Sequence, residues 1–255
     1  MSSGTTPRIA WDSLLASATL TTAATNAAGG PLTNVRDWRS WSFWRPTGGG
    51  PYTFTADFGS SKSVNSFAMA GHDASGTVTM ETWNGSSWVA HSSAVAAGDG
   101  LVLYVVGSTV STSKVRFTFP TLTYLSIAWV GLDVVLPEGV GPGWTDPPLA
   151  LRAQKSQEIS RGGQWLGTTV ELWNARLSLN INSVELDWAR TYWIPFLRRC
   201  ETQPFFLHWN TVDAPNSACL CTAADFGDAA FASQGFVNLS VTFDANTGYD
   251  RRISP

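Results

Sequence analysis

The sequence predicts a mainly β protein built as a β-sandwich or jelly roll, followed by a smaller α+β unit. Three observations carry this. Short apolar/polar alternations recur from about residue 50 onward with polar turns between them. The segment PEGVGPGWTDPP, residues 137–148, places five Pro or Gly in its first seven residues and ends on a Pro pair. After it, one helical periodicity interrupts an otherwise strand-like pattern. The expected organisation is a jelly roll over 1–136, a linker over 137–148 and a second unit over 149–255, with proteolysis releasing a stable N-terminal fragment.

In chain order, Tyr52, Phe54, Ala56 and Phe58 alternate with Thr53, Thr55 and Asp57, giving one apolar and one wet face. Gly59-Ser60-Ser61 is expected to turn the chain. VNSFAMAG, residues 64–71, is apolar on both faces, as in a strand packed above and below. TVTMETW and SSWVAHSS flank Asn84-Gly85, a type I′ hairpin signal, because both central residues of that turn need positive φ. LVLYVV, KVRFTF and WVGLDVVL supply three more strands. Beyond the linker, VELWNARLSLNI is a long strand with Ala175, Leu177, Leu179 and Ile181 on one face. A helix is expected next, capped by Asn182 with Glu185 at its third position, carrying Val184, Trp188 and Tyr192 and interrupted at Pro195. FFLHW, ACLCT and FVNLSVTFDA return to β.

Charge and composition narrow the function. The 255 residues carry a net charge of −3, with seven basic and eight acidic residues up to position 140. This even balance gives no basic face for nucleic acid. No segment reads as a secretory leader or membrane span, so the expectation is a soluble product of the cytoplasm. Charged residues are only 14% against roughly 25% in ordinary chains, while thirteen Trp and a bias of thirteen Arg to three Lys favour interfaces.

Chemistry-bearing motifs are few. Asp57-Phe58-Gly59 and Asp225-Phe226-Gly227 match a kinase triplet without its phosphate loop, strand lysine or catalytic loop. His72-Asp73 sits where a strand runs into a loop, with no nucleophile elbow beside it, and reads as a solvated pair. Cys200, Cys219 and Cys221 with His208 form a possible Cys3His zinc set, but no Cys-x-x-Cys knuckle is present and buried thiols are the expected state. No cofactor, metal or catalytic group is expected to be required. The richest stretch is NVRDWRSWSFWRP, residues 34–46, where Trp38, Trp41 and Trp44 interleave with Arg36, Arg39 and Arg45. Exposed, it offers flat faces for sugar rings and guanidinium forks for hydroxyls or acids. Buried, it is a packed loop or subunit contact. The candidate ligand set is therefore Trp38, Trp41, Trp44, Arg45, His72 and Asp73.

Asn34-Val35-Arg36-Asp37, the strand ending Asp57-Phe58-Gly59, the strand reaching His72-Asp73, the hairpin WNGSSW, and KVRFTF followed by LSIAWVGLDVVL together resemble the discoidin or coagulation-factor type C jelly roll, a galactose-binding-like fold. The family's Leu in the Asp-Leu-Gly turn is Phe58 here, and its terminal disulfide is missing because no Cys precedes position 200. The resemblance implies a binding fold with ligands on loops at one end. VLPEGVGPGWTDP, ISRGGQW and the long strand after them are similar to tail-tip and baseplate proteins of long-tailed bacteriophages, and the second half resembles a tail-tube domain. In distal tail proteins the ring domain usually comes first, the reverse of the order here.

That resemblance implies a structural virion protein, assembled in the host cytoplasm. Residues 149–255 would form a self-associated ring, a hexamer by analogy, with Trp193, Arg198 and Arg199 at the contact between copies, and would adjoin tail-tube, hub and baseplate proteins. The jelly roll would brace neighbours or touch host glycans. A carbohydrate-binding module without an assembly role is the alternative, and a cell-wall hydrolase the third reading.

Overall fold

The computed structural model describes residues 6–98, 100–137, 152–210 and 217–246; within it, 152–157 and 168–174 are described by backbone alone. Most of the expected linker, 138–148, lies outside the described residues. Sixteen strands are present: β1 (Arg8–Ala10), β2 (Thr19–Thr22), β3 (Thr25–Asn26), β4 (Pro46–Thr47), β5 (Tyr52–His72), β6 (Ser75–Trp83), β7 (Trp88–Ala97) and β8 (Leu103–Phe119), then β9 (Leu125–Gly131), β10 (Val134–Val135), β11 (Arg152–Ile159), β12 (Trp165–Glu185), β13 (Phe205–His208), β14 (Ala218–Phe226), β15 (Ala230–Ser233) and β16 (Phe236–Asn246). The pairings between them are antiparallel, so the mainly β class holds.

One sheet runs β2-β5-β8-β6-β7, with β9 added on β5. Strands β5 and β8 are long enough to serve two layers of the sandwich. The turn expected at Gly59-Ser60-Ser61 is absent. β5 instead bends through a register shift between Asp57 and Lys62, where Gly59 has φ +72° and donates its N–H to Asp57 Oδ1 at 2.9 Å. Five residue steps of β5 stand against two of β8 there, and the extra residues bend the strand without ending the ladder. LVLYVV and KVRFTF likewise belong to the single strand β8 rather than to two. Past the bend, Val64 to Ala70 are buried without a break, matching the two-sided apolar pattern. Phe67 and Met69 enter one core with Phe54, Phe117 and Val130, while Ala68 and Ala70 enter another with Ala10, Phe206 and Ala218.

Asn84-Gly85 does connect two strands, but by a four-residue loop between the paired Trp83 and Trp88. Among the described residues only Gly85 of the two has positive φ, and Asn84 Oδ1 accepts from the N–H groups of Ser86 and Ser87 at 2.9 and 2.8 Å. The Asn side chain caps the loop instead of entering the left-handed region.

The second sheet runs β10-β1-β13-β14-β16-β12-β11, with β15 on β16. Two of its strands, β1 and β10, come from the first half of the sequence. Ala175, Leu177, Leu179 and Ile181 are buried on one face of β12, as their alternation predicts. The helix starts later than expected: β12 stays paired through Glu185 past a register shift at Ser183 (φ +52°), which accommodates the residues read as a cap. An α-turn over Leu186–Trp188, a π-turn over Ala189–Trp193 and an α-segment over Ile194–Cys200 follow. Pro195 does not break the run: Trp193 and Ile194 before it are themselves helical, and it sits just after the π-turn gives way to the α-segment. The buried face is Ala189, Trp193, Phe196 and Cys200; Tyr192, assigned inward by spacing, is exposed.

A buried polar cluster lies near the contact of the two sheets. Arg8 on β1 pairs with Asp133 at 2.8 Å; Asn65 Nδ2 donates to the same carboxylate at 2.8 Å, and Tyr104 Oη donates to its other oxygen at 3.2 Å. Burial and the Asp133 charge push the Tyr104 hydroxyl well above the usual phenol range.

Candidate functional site

The loop over residues 37–45 is fixed by its own polar side chains. Asp37 accepts from the N–H of Arg39 at 2.9 Å and from Ser42 Oγ at 2.6 Å, while Asn34 Nδ2 donates to the Phe43 carbonyl at 2.9 Å. Trp44 and Leu125 then exchange backbone hydrogen bonds of 2.8 and 3.0 Å, tying the loop to the start of β9. Trp44 points inward: it is fully buried, its Nε1 donates to Asn26 Oδ1 at 2.8 Å, and its ring meets Phe54 edge-on at 5.5 Å.

Because neighbours in an extended segment alternate sides, Phe43 and Arg45 fall together opposite Trp44. The Arg45 guanidinium lies 5.3 Å from the Phe43 ring centroid, and that ring meets Tyr124 edge-to-face at 5.3 Å. Asp73 positions Tyr124 by accepting from its N–H at 3.1 Å, from the Thr123 N–H at 2.9 Å and from the Thr123 hydroxyl. Trp41, 74% exposed, stands on the same loop.

The structure thus divides the sequence-derived set. Trp41 and Arg45 are on the surface. Asp73 is a clasp for the Thr123–Tyr124 backbone, not part of a solvated pair, and His72 is buried at 1% exposure. Trp44 is a core residue. Trp38, at φ +61°, turns toward the second half, with its ring 5.9 Å from Phe206. Burial removes Trp44 and His72 from any direct ligand contact. Sequence reasoning missed Phe43 and Tyr124. Alternation around Trp44 would have placed Phe43 beside Arg45; Tyr124 joins only through a long-range bridge.

A cleft beside this loop, lined by Ser40, Ser126 and Leu220, holds about 40 Å³, close to the ~30 Å³ share of one water. A volume of this size does not admit a sugar ring.

The Cys3His set is split by a sheet. Leu207 is opposite Cys219 and Phe205 opposite Cys221, whereas His208 is opposite Ala218 on the other face. His208 stacks on Tyr104 with ring centroids 4.9 Å apart, and the cysteines share the core between helix and sheet, Cys200 from the helix and Cys219 and Cys221 from β14. Cys219 and Cys221 bring their Sγ atoms to 3.3 Å as free thiols. Burial pushes the Cys200 thiol up to about 12 and raises that of Cys221, the latter further through its hydrogen bond with Cys219. Among the described residues no group of three or more His, Cys, Asp or Glu is placed to hold a metal ion.

Of the residues assigned to a ring contact, Trp193 is 3% exposed and packs on Phe196 at 5.1 Å, which corrects its assignment to a surface. Arg198 is exposed and Arg199 half-buried, both in the last helical turn, where cations complement the helix dipole. Asp57 of the first kinase-like triplet pairs with Lys114 at 2.8 Å; that contact and the Gly59 N–H hold its carboxyl below the usual range.

No family model matches the chain, and no curated protein does. Among solved structures it is similar to a family 32 module of a Clostridium perfringens protein in complex with GalNAc-β-1,3-galactose, at 12% identity over 48% of this chain and 100% of that one, TM-score 0.43. It is similar to the family 32 module of C. perfringens NanJ in complex with galactose, at 12% identity over 48% of this chain and 98% of that one, TM-score 0.43. A chitosan-binding module from a Paenibacillus sp. IK-5 chitosanase/glucanase matches at 21% identity over 47% of this chain and 98% of that one, TM-score 0.41. These are low similarities over less than half of the chain, whose architecture rests on its own strand pairing.

Proposed function

We propose that the chain is a glycan-binding protein that engages sugars on the surface formed by Trp41, Phe43, Arg45 and Tyr124. The observation that carries this is the exposure of Trp41, 74%, on a loop whose neighbouring side chains are an edge-to-face ring pair and a guanidinium. A large aromatic left in water loses stabilisation unless something covers it, and the flat C–H face of a pyranose is a suitable cover. Arginine supplies directed donors to the sugar oxygens.

Affinity electrophoresis through gels containing soluble polysaccharides tests this. At least one polysaccharide should retard the protein, and Trp41→Ala should abolish the retardation without changing the near-UV circular dichroism. Full retardation of the Trp41→Ala variant, or none of the wild type on any polysaccharide, would overturn it.

Self-association of the second half is a second reading, in line with the tail-ring resemblance. It is favoured by Ile159, Trp165 and Leu166, exposed at 65, 69 and 63% around the turn between β11 and β12.

A further inference from the structure

We infer that the sugar taken by this surface carries a carboxylate, an inference that rests on the glycan-binding reading. The loop's two carboxylates are held by contacts within the protein, while its exposed cations are outside the described ion pairs. Both oxygens of Asp37 accept from within the loop, and both oxygens of Asp73 accept from Thr123 and Tyr124. Among the described residues neither carboxylate forms an ion pair with a cation of the loop.

The cations are in the opposite state. Arg39 and Arg45 are exposed, and neither is in an ion pair among the described residues. The described ion pairs are Arg8–Asp133, Lys114–Asp57, Arg116–Glu81 and Arg190–Asp187. Two exposed guanidinium groups outside the described ion pairs, on the loop that also carries the exposed Trp41, suit a ring that presents a planar carboxylate at its edge. A guanidinium meets a carboxylate in a bidentate fork, stronger and more directional than a contact to a hydroxyl.

The chain's overall charge of −3 argues against a generic polyanion surface. Nucleic acid is held by stripes of phosphate-neutralising cations on a basic domain. Here the positive charge is local, and the ligand it fits is a uronate-bearing glycan.

The full chain should be run in gels containing polygalacturonate or alginate as acidic probes, galactomannan as a neutral probe, and single-stranded DNA as competitor. The acidic polysaccharides should retard it and galactomannan should not. Arg45→Gln and Arg39→Gln should each weaken the apparent affinity about tenfold. Arg45→Lys should restore part of the loss. Retardation should fall as salt rises from about 0.05 M to about 0.5 M, since exposed charges are screened over that range.

Trp41-dependent binding of galactomannan as strong as that of the acidic probes would overturn the carboxylate assignment and leave the glycan reading standing. Retardation unchanged in both arginine variants, or DNA competing as well as polygalacturonate, would also overturn it. No retardation on any polysaccharide would remove both readings.

Discussion

Trp41 and Trp44 stand three residues apart in one loop and end in opposite environments, 74% exposed and fully buried. The difference is made by one backbone bridge, since the pairing of Trp44 with Leu125 turns its side chain inward and its neighbours outward. The same scale governs the thiols. Cys200 loses its water in the core beneath the helix, so its pKa rises from 9.0 to about 12. A raised folded-state pKa stabilises the neutral thiol: the contribution is complete below about pH 9 and is lost as pH rises toward about 12. Denaturant titrations in reducing buffer should therefore show the unfolding equilibrium shifting by up to about tenfold per pH unit in that window. Cys200→Ala should flatten this dependence at the cost of lower stability near neutrality. An unchanged slope in the variant would show that other groups carry it.

Elements were legible where a period ran without interruption. The alternation in β12 predicted its buried face, and the apolar run of 64–71 predicted a strand with neighbours on both sides. What the pattern could not show was where strands end, because a bulge at Gly59 or Ser183 lets a ladder continue through residues that look like a turn or a cap. The turn joining β11 and β12 leaves Ile159, Trp165 and Leu166 in water, and the second reading assigns them to a contact with another copy. Sedimentation velocity should then show concentration-dependent association that is lost in the double variant Trp165→Ser, Leu166→Ser. A wild-type chain that stays monomeric at every concentration would rule that contact out.

At the scale of the whole molecule, the two halves share a sheet. β1 lies between β10 and β13, and the Arg8–Asp133 pair is held from three strands of the first half and one loop. Trp38 and Tyr104 both reach Phe206, so the candidate loop is braced by the second half. Separation would expose Ala68, Ala70, Ile127 and Phe206, and Arg8 would leave the sheet that aligns it. A protease site placed within 137–148 should accordingly yield two fragments that co-elute in gel filtration and part only in denaturant. Elution of a stable N-terminal fragment alone would restore the division expected from the Pro/Gly segment.

By itself the sequence determined the β class, the faces of the long strands, and the loop from 34 to 46 as the place where aromatic and cationic side chains concentrate. These follow from local periodicity and composition, which need no knowledge of distant neighbours. Only the tertiary structure decided which of those side chains meet solvent, that Phe43 and Tyr124 accompany Arg45, and that His208 and the three cysteines face opposite sides of a sheet. Each of these depends on a pairing between residues far apart in the chain, Trp44 with Leu125 or Leu207 with Cys219. A shift of one residue in such a pairing exchanges every inward side chain for an outward one, and the register is set by packing against the opposing layer.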